Sequence, residues 1–313
     1  MARKRKGVPI SGWLAIDKPV GPSSAAIVAK VLRETGAAKA GHGGTLDPLA
    51  SGILPIALGD ATKTVSYVMD GSKTYRWTIR WGENRDTLDA EGDVTARSDV
   101  RPTRDAIEAA LTPFRGEIVQ IPPIYSALKV DGARAYDLAR QGVEVEMTPR
   151  RVMIYDYRLV DQSDADHATF EARVGKGTYI RALARDLAES LGTCGYVADL
   201  RRTACGPFDE SNAICLETLA GLGHGPALRG LLLPVETALD DIPALALTSS
   251  EAHRLRTGQF LAFDALEMGG PPDRLSEGSV VRAMEAGRLV ALAQMDGGLI
   301  RPRRVFSDNT FDV

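Results

Sequence analysis

Residues 76–81, Arg-Trp-Thr-Ile-Arg-Trp, place Trp77, Ile79 and Trp81 on one side of an extended chain and Arg76, Thr78 and Arg80 on the other. A strand buried on one face and wetted on the other reads this way, because successive side chains point to opposite faces of a sheet. Strands also fit Val152 to Val160 and Ala168 to Val174, the latter with Phe170, Ala172 and Val174 on one face. After the Gly175-Lys-Gly177 turn, helical spacing returns from about Tyr179 to Leu191, with Ile180, Leu183, Leu187 and Leu191 inward and Gly192 as terminator. Towards the amino terminus, Trp13 to Ile16 is a short apolar run, and Ser23 or Ser24 caps a helix carrying Ile27, Val28, Val31 and Leu32 until Gly36. Pro102 and Thr103 open a helix with Ile107, Ala110 and Leu111, and Ala135 to Gln141 forms another before Gly142. Ile121-Pro-Pro-Ile-Tyr-Ser126 must be extended. An acidic, turn-rich stretch runs from the Trp-rich strand to Asp99. Helices and strands without strict βαβ alternation argue an α+β fold around a mixed, largely antiparallel sheet ending near Asp240.

From Pro243 the texture changes. Thr248 and Glu251 fit a capping box, and Arg288 to Gln294 and Leu299 to Val305 flank Asp296-Gly-Gly298 as a hairpin, so residues 243–313 read as a small β-rich appendage. The divisions expected are a basic tail over 1–11, a main domain over 12–240 and this appendage.

The chain has 313 residues, 44% hydrophobic and 25% charged, with net charge -3, which excludes disorder, collagen and a uniformly basic nucleic-acid binder. The charge is uneven: residues 1–39 carry +6 and the remainder -9. That asymmetry hints at a polyanionic partner, against the plainer reading of a solvated basic tail. Cys194, Cys205 and Cys215 are odd in number and never in C-x-x-C, which suggests neither a disulfide framework nor zinc and fits a reducing cytoplasm. No apolar run approaches the roughly 18 residues of a spanning helix. A cytoplasmic chain without membrane attachment is expected.

Chemistry concentrates in Gly41-His-Gly-Gly-Thr-Leu-Asp-Pro48. Glycines let a ligand approach the backbone closely, and Asp47 beside a rigid proline is a carboxylate presented on a loop; the plainer alternative is that Asp47 merely caps a turn. The spacing matches neither a Walker loop nor G-x-G-x-x-G. Lys176-Gly-Thr-Tyr-Ile-Arg181 puts a cation at a strand-to-helix corner, where Arg181 can pair with a carboxylate or phosphate. Arg181 and Arg185 share a helical face with Asp186 and Glu189 nearby, so a solvated salt-bridge surface is the alternative. Tyr75, in Lys73-Thr-Tyr-Arg76, offers a ring for stacking or for the core. His42, His167, His224 and His253 lack metal-ligand spacing, which leaves carboxylate chemistry as the simplest enzymatic reading.

Taken together these motifs closely resemble the bacterial tRNA pseudouridine synthase B family, in order across residues 12 to 208. The resemblance rests on Ile16-Asp-Lys-Pro-Val-Gly-Pro-Ser-Ser24, the Gly41 to Pro48 loop, Lys73-Thr-Tyr-Arg76, Tyr125-Ser-Ala-Leu-Lys129, Lys176 to Arg181 and Leu200-Arg-Arg-Thr203. It departs at Gly43, where the family usually carries threonine, a change that bears on loop stiffness or RNA contacts more than on the nucleophile. The resemblance implies a pseudouridine-synthase-like catalytic domain, a PUA-like RNA-binding appendage, and isomerisation of uridine 55 in the TΨC stem-loop of tRNA without a cofactor, metal or obligatory protein partner. It implies Asp47 as nucleophile, Tyr75 against the target uracil and Arg181 paired with Asp47. It further implies substrate contacts from His42, Tyr179, Leu200, Lys18, Lys176 and Arg202. A flipped nucleotide in a closed pocket is required, since the uracil must leave its stack, turn and reattach through C5. Arg3 to Lys6, Arg150-Arg151, Arg201-Arg202 and Arg301 to Arg304 are candidate phosphate contacts. The competing readings are an RNA chaperone with a structural Asp47 and a guided ribonucleoprotein enzyme, the latter expected to carry added terminal extensions.

Overall fold

A computed structural model describes residues 7–126, 128–130, 132–143, 145–221, 225–266 and 275–307. Arg3 to Lys6 and His224 lie outside these residues.

The alternating stretch lies in strand Lys73–Trp81, near the middle of a ten-stranded sheet. Trp77, Ile79 and Trp81 are at most 1% exposed, whereas Arg76 and Arg80 face solvent. Against it on one side lies His167–Val174, then Arg150–Asp161, then the edge strand Gly116–Gln120, all antiparallel. On the other lies Gly195–Cys205, antiparallel, followed by Ala50–Leu58 in parallel, Gly12–Lys18 antiparallel and Ala213–Cys215 in parallel. The sheet is therefore mixed and mostly antiparallel.

Helix Ile180–Ser190 covers the inner face of the sheet, burying Ile180, Leu183 and Leu187. Trp77 meets Tyr157 and Phe170 there at ring-centroid distances of 5.3 and 5.8 Å, separations at which aromatic pairs attract beyond simple burial. Among the described residues the buried Trp77 indole N–H and Tyr157 hydroxyl have no hydrogen-bond partner, which works against that gain. Helix Ser24–Thr35 is capped by the Ser23 hydroxyl, which accepts from the Ala26 N–H at 3.2 Å, and ends at Gly36. Helices Arg104–Ala110 and Ala135–Arg140 lie where the spacing placed them, the first capped by Thr103. Ile121 to Ser126 takes neither helix nor strand.

A second sheet of five strands begins at Ala244–Ala246. Thr248 and Glu251 form the expected capping box of helix Ser249–Arg256. Strands Arg288–Asp296 and Leu299–Val305 pair as a hairpin whose Gly297 and Gly298 have φ of 60° and 73°, the left-handed values that a tight two-residue hairpin turn demands. This sheet is packed onto the first: Leu289, Leu292 and Phe306 join Trp13, Ala15, Ile53 and Ala57 in one buried cluster. Two polar links add to it. Lys63 Nζ donates to the Val305 carbonyl at 2.7 Å, and Asp60 accepts from the Ser307 N–H and hydroxyl at 2.8 and 2.6 Å.

Candidate active site

Three neighbouring strands of the main sheet, Ala50–Leu58, Gly195–Cys205 and Lys73–Trp81, bring the sequence motifs together. Leu200 lies opposite both Ala50 and Trp77, and Arg202 opposite Tyr75. The glycine loop enters this region just ahead of Ala50, and Arg181 arrives on the first turn of helix Ile180–Ser190.

The backbone is fixed on both sides of Asp47. Before it, the buried Ser24 hydroxyl accepts from the Leu46 N–H at 2.8 Å and donates to the Leu46 carbonyl at 2.9 Å. After it, the Pro48 carbonyl accepts from the Gly21 N–H at 2.8 Å and from Lys18 Nζ at 3.3 Å. The Ile16 to Ser24 motif is thus the scaffold behind the loop. Between these clamps the Asp47 side chain stays 44% exposed.

Arg181, with only 7% of its side chain exposed, donates from Nη2 to Asp47 Oδ2 at 2.7 Å and to the Tyr125 carbonyl at 2.9 Å, and from Nη1 to the Thr87 carbonyl at 2.8 Å. Asp89 Oδ2 stands 3.4 Å from Nη1. A guanidinium is a planar fork, and here its donors are fixed by backbone carbonyls and carboxylates at once. Arg185, four residues on, turns away to Asp186 at 2.8 Å and the Ile121 carbonyl at 3.0 Å. The salt bridge to Asp186 is thus made by Arg185 and not Arg181, and it is mostly buried where the alternative had it solvated.

Asp89 was hidden in the acidic stretch, which forms strands Glu83–Arg85 and Val94–Arg97 with a tight loop between them. Its Oδ1 accepts from the Thr87 hydroxyl at 2.6 Å and the Glu91 N–H at 3.1 Å, and the intervening Leu88 has φ of 63°. A non-glycine residue there costs of the order of 1–3 kcal/mol and needs its surroundings to hold it. The Val197 N–H, donating to the Leu88 carbonyl at 3.1 Å, does so. One signal was available: Thr87-Leu-Asp89 repeats the tripeptide Thr45-Leu-Asp47.

The cavity in front of Asp47 has a volume of about 280 Å³ and is lined by Asp47, Lys73, Tyr75, Tyr179, Leu200 and Arg202, among others. That is near the roughly 300 Å³ lower bound of ligand pockets, a size for one nucleoside and not for a stretch of chain. Burial, foremost, raises the pKa of Tyr75 and outweighs the opposing effect of the nearby Arg202 guanidinium, so the phenol stays protonated at neutral pH. Tyr179 is also raised, chiefly by burial; its N–H donates to Gln120 Oε1 at 2.8 Å and its carbonyl accepts from Gln120 Nε2 at 3.2 Å. Leu200 is 9% exposed and gives the pocket an apolar wall.

Arg202 and Lys18, both expected as substrate contacts, are buried, and Arg202 also lines the cavity. Arg202 is 1% exposed and spends its donors on the carbonyls of Ile53 at 2.8 Å, Gly44 at 3.0 Å and Thr45 at 3.4 Å. It props the glycine loop from beneath while lining the cavity. Its neighbour Arg201 is held by Asp17, at 2.9 Å through two bonds, and by Glu210 at 2.8 Å. Lys18 is fully buried, with its ammonium also on the Pro19 carbonyl at 2.8 Å. Burial lowers its pKa more than Asp47 raises it. Both residues hold carbonyls of the loop, a contact that cannot be told from an exposed cation by sequence alone.

Lys176, between the cavity-lining Gly175 and Gly177, is exposed and pairs with Asp70 at 3.0 Å. His42, in the short strand Ala40–His42, is half-buried with Nδ1 lacking a partner among the described residues, and burial first and Arg202 second lower its pKa, so the ring is neutral at pH 7. Arg150 lies 5.8 Å from the Tyr179 ring, Arg151 pairs with Glu117, and Arg301 pairs with Asp296 at 2.9 Å. Among the described residues no group of three or more His, Cys, Asp or Glu is arranged to hold a metal ion, and no helix is long and apolar enough to cross a membrane.

Residues 32–180 match the TruB family pseudouridylate synthase N-terminal domain, and residues 181–240 the tRNA pseudouridylate synthase B C-terminal domain. The chain belongs to the TruB family of pseudouridylate synthases. Similarity extends well beyond those segments: the chain is 56% identical over 312 residues to tRNA pseudouridine synthase B of Caulobacter vibrioides, covering 98% of this chain and 99% of that one. It is 54% identical over 305 residues to the protein of the same name from Rhodospirillum rubrum, covering 97% and 99%. The solved structure of an H/ACA RNP bound to a substrate RNA containing 2′-deoxyuridine superposes with a TM-score of 0.73 at 25% identity, over 98% of this chain and 92% of that chain. This TruB-family enzyme is an isomerase with the pseudouridine synthase fold. The border between the two matched segments falls between Ile180 and Arg181, so each contributes one member of the Asp47–Arg181 pair.

Proposed function

We propose that this enzyme converts uridine 55 in the TΨC loop of tRNA to pseudouridine in the cytoplasm, with Asp47 as nucleophile. The observation that carries the reading is the pairing itself: a half-exposed carboxylate on a clamped loop, at the mouth of a nucleoside-sized cavity, aimed by a buried arginine. An aspartate that merely capped a turn would not need such a partner, and this also favours catalysis over a purely chaperoning role. The names of the curated relatives support tRNA as the substrate.

The chemistry is balanced within the substrate. The Asp47 carboxylate attacks ribose C1′ or uracil C6, and the bond from C1′ to N1 breaks. The uracil turns within the cavity until C5 faces C1′. A carbon–carbon bond then forms, Asp47 is released, the proton leaves C5 and one is gained at N1. No net oxidation occurs. Tyr75 and Leu200 give the ring two walls during the turn, the protonated Tyr75 hydroxyl offers a donor, and Arg181 compensates the carboxylate's charge as it returns. The flipped nucleotide is drawn from a single-stranded loop, where unstacking costs least. Lys176, next to the cavity-lining Gly175 and Gly177, and Arg150, near the Tyr179 ring, would meet its flanking phosphates, and the five-stranded sheet would serve as a PUA-like RNA-binding unit, with residues 12–240 as the catalytic domain.

The test is pseudouridine mapping on unmodified tRNA incubated with purified protein. Modification at position 55 alone is expected; a tRNA that is bound but never modified would move the assignment to an RNA chaperone.

A further inference from the structure

Gly43 is the loop residue whose environment is least like that of a flexible glycine. Its φ lies outside the left-handed region, so the backbone itself accepts a side chain there. Space does not. A Cβ at position 43 would stand 2.7 Å from Val68 Cγ1, 3.2 Å from Val68 Cβ and 3.4 Å from Pro55 Cβ. Carbon contacts near 2.7 Å are repulsive, since the optimum is about 3.5–4.0 Å.

Val68 cannot easily step aside. It is 1% exposed, and its short β-branched side chain is stiff at χ1. Its helix, Val65–Asp70, is tied down by Lys73 Nζ, which donates to the Val68 carbonyl at 3.0 Å, the Gly71 carbonyl at 2.6 Å and the Met69 carbonyl. Lys73 begins the strand that carries Tyr75, and Met69 and Lys73 both line the cavity. On the loop side, the Gly43 N–H donates to the Pro55 carbonyl at 2.8 Å, its carbonyl accepts from Cys205 Sγ at 3.8 Å, and the next carbonyl, of Gly44, is held by Arg202 at 3.0 Å.

We infer that Val68 is a positioning residue for the reaction: its Cγ1 methyl occupies the space of a side chain at 43 and sets the placement of the Asp47 loop relative to the Tyr75 strand. Positions 43 and 68 then form one steric pair, in which the size of one fixes the size of the other. The inference rests on the reading that the Asp47 loop carries the chemistry.

The experiment compares the full-length native chain with Gly43→Ala, Val68→Ala and the double variant, measuring single-turnover pseudouridine formation at saturating unmodified tRNA, tRNA affinity, and melting temperature. Displacing a reacting group by about 1 Å can cost up to roughly a hundredfold, so Gly43→Ala is expected to lose tenfold or more in rate with affinity within about threefold. Val68→Ala, which loosens the seat, is expected to lose about fivefold, and the double variant to return to within about threefold of the native rate, a strongly non-additive pair. A Gly43→Ala chain as fast as the native one, or a double variant whose loss equals the product of the single losses, would overturn the inference. Should Gly43→Ala fail to fold, a folded and active double variant supports the pairing, and a double variant that also fails to fold overturns it. The proposed nucleophile is tested separately: turnover by Asp47→Asn would remove that reading while leaving the rescue between 43 and 68 visible.

Discussion

Replacing Arg181 by lysine keeps the positive charge and removes the fork. In the native site the guanidinium meets Asp47 at 2.7 Å, the Thr87 carbonyl at 2.8 Å, the Tyr125 carbonyl at 2.9 Å and Asp89 at 3.4 Å. A lysine ammonium is a compact point with three donors on a flexible stem, and from that position it can satisfy about two of these acceptors. Hydrogen bonds involving a charged group contribute about 1.5–3 kcal/mol each, and the lower figure applies here because Asp47 is 44% exposed and water replaces part of what is lost. Two lost bonds give about 3 kcal/mol, which at about 1.4 kcal/mol per decade is close to a hundredfold in rate. The proton leaving C5 supplies the assay: tRNA labelled with tritium at uracil C5 releases label to water only when the new carbon–carbon bond has formed. Under single-turnover conditions the lysine variant is expected to release label about a hundredfold more slowly, with tRNA affinity changed by less than about threefold because the native side chain is only 7% exposed. A matched fall in affinity and rate would show that Arg181 holds RNA, and an unchanged rate would remove its part in aiming Asp47.

Asp89→Asn keeps the size of the second carboxylate and removes its charge, and is expected to slow single-turnover formation about tenfold with tRNA affinity preserved; a rate equal to that of the native chain would leave Asp89 as a loop brace only. Tyr75→Phe is expected to bind tRNA normally and lose most turnover, and equal rates for the two rings would reduce Tyr75 to packing. Burial of Asp60 disfavours its ionised form, but the Ser307 hydroxyl and N–H and the Lys63 ammonium together hold its pKa below the ordinary value. The resulting stabilisation is present above the ordinary carboxylate pKa of about 3.9 and is lost as pH falls through the lower folded value. Asp60→Asn should therefore lower the melting temperature at pH 7, by about 1–2 kcal/mol of stability, and the gap from the native chain should close under acid; a gap that persists or widens there would contradict the linkage.

The one-face strands and capped helices were legible because their signals are local. Trp77, Ile79 and Trp81 alternate, Ser23 and Gly36 bracket a helix, and Thr248 with Glu251 closes a capping box. The strands at the centre of the sheet were not. Ala50–Leu58 is buried on both faces and so shows no period of two, and it carries a glycine and a proline that argue against a strand. Gly195–Cys205 holds Asp199, Arg201 and Arg202 in mid-strand, which resembles a charged surface until Arg202 is seen propping the glycine loop. Asp47, Tyr75 and Arg181 stood out through motif resemblance, and the structure brings them to one cavity. Asp89, Ser24 and Gln120 act through contacts 92, 22 and 59 residues away in sequence, which no local pattern records.

The central claim is that the Asp47 carboxylate makes the covalent bond. The most direct measurement is pseudouridine formation on unmodified tRNA by homogeneous Asp47→Asn protein under single-turnover conditions, with tRNA binding followed in the same preparation. Asparagine keeps the size and the neighbours of the native side chain and removes the nucleophile, so tRNA should still bind while no pseudouridine appears at position 55. Appreciable formation by the asparagine chain, its sequence verified after the reaction, would contradict the account.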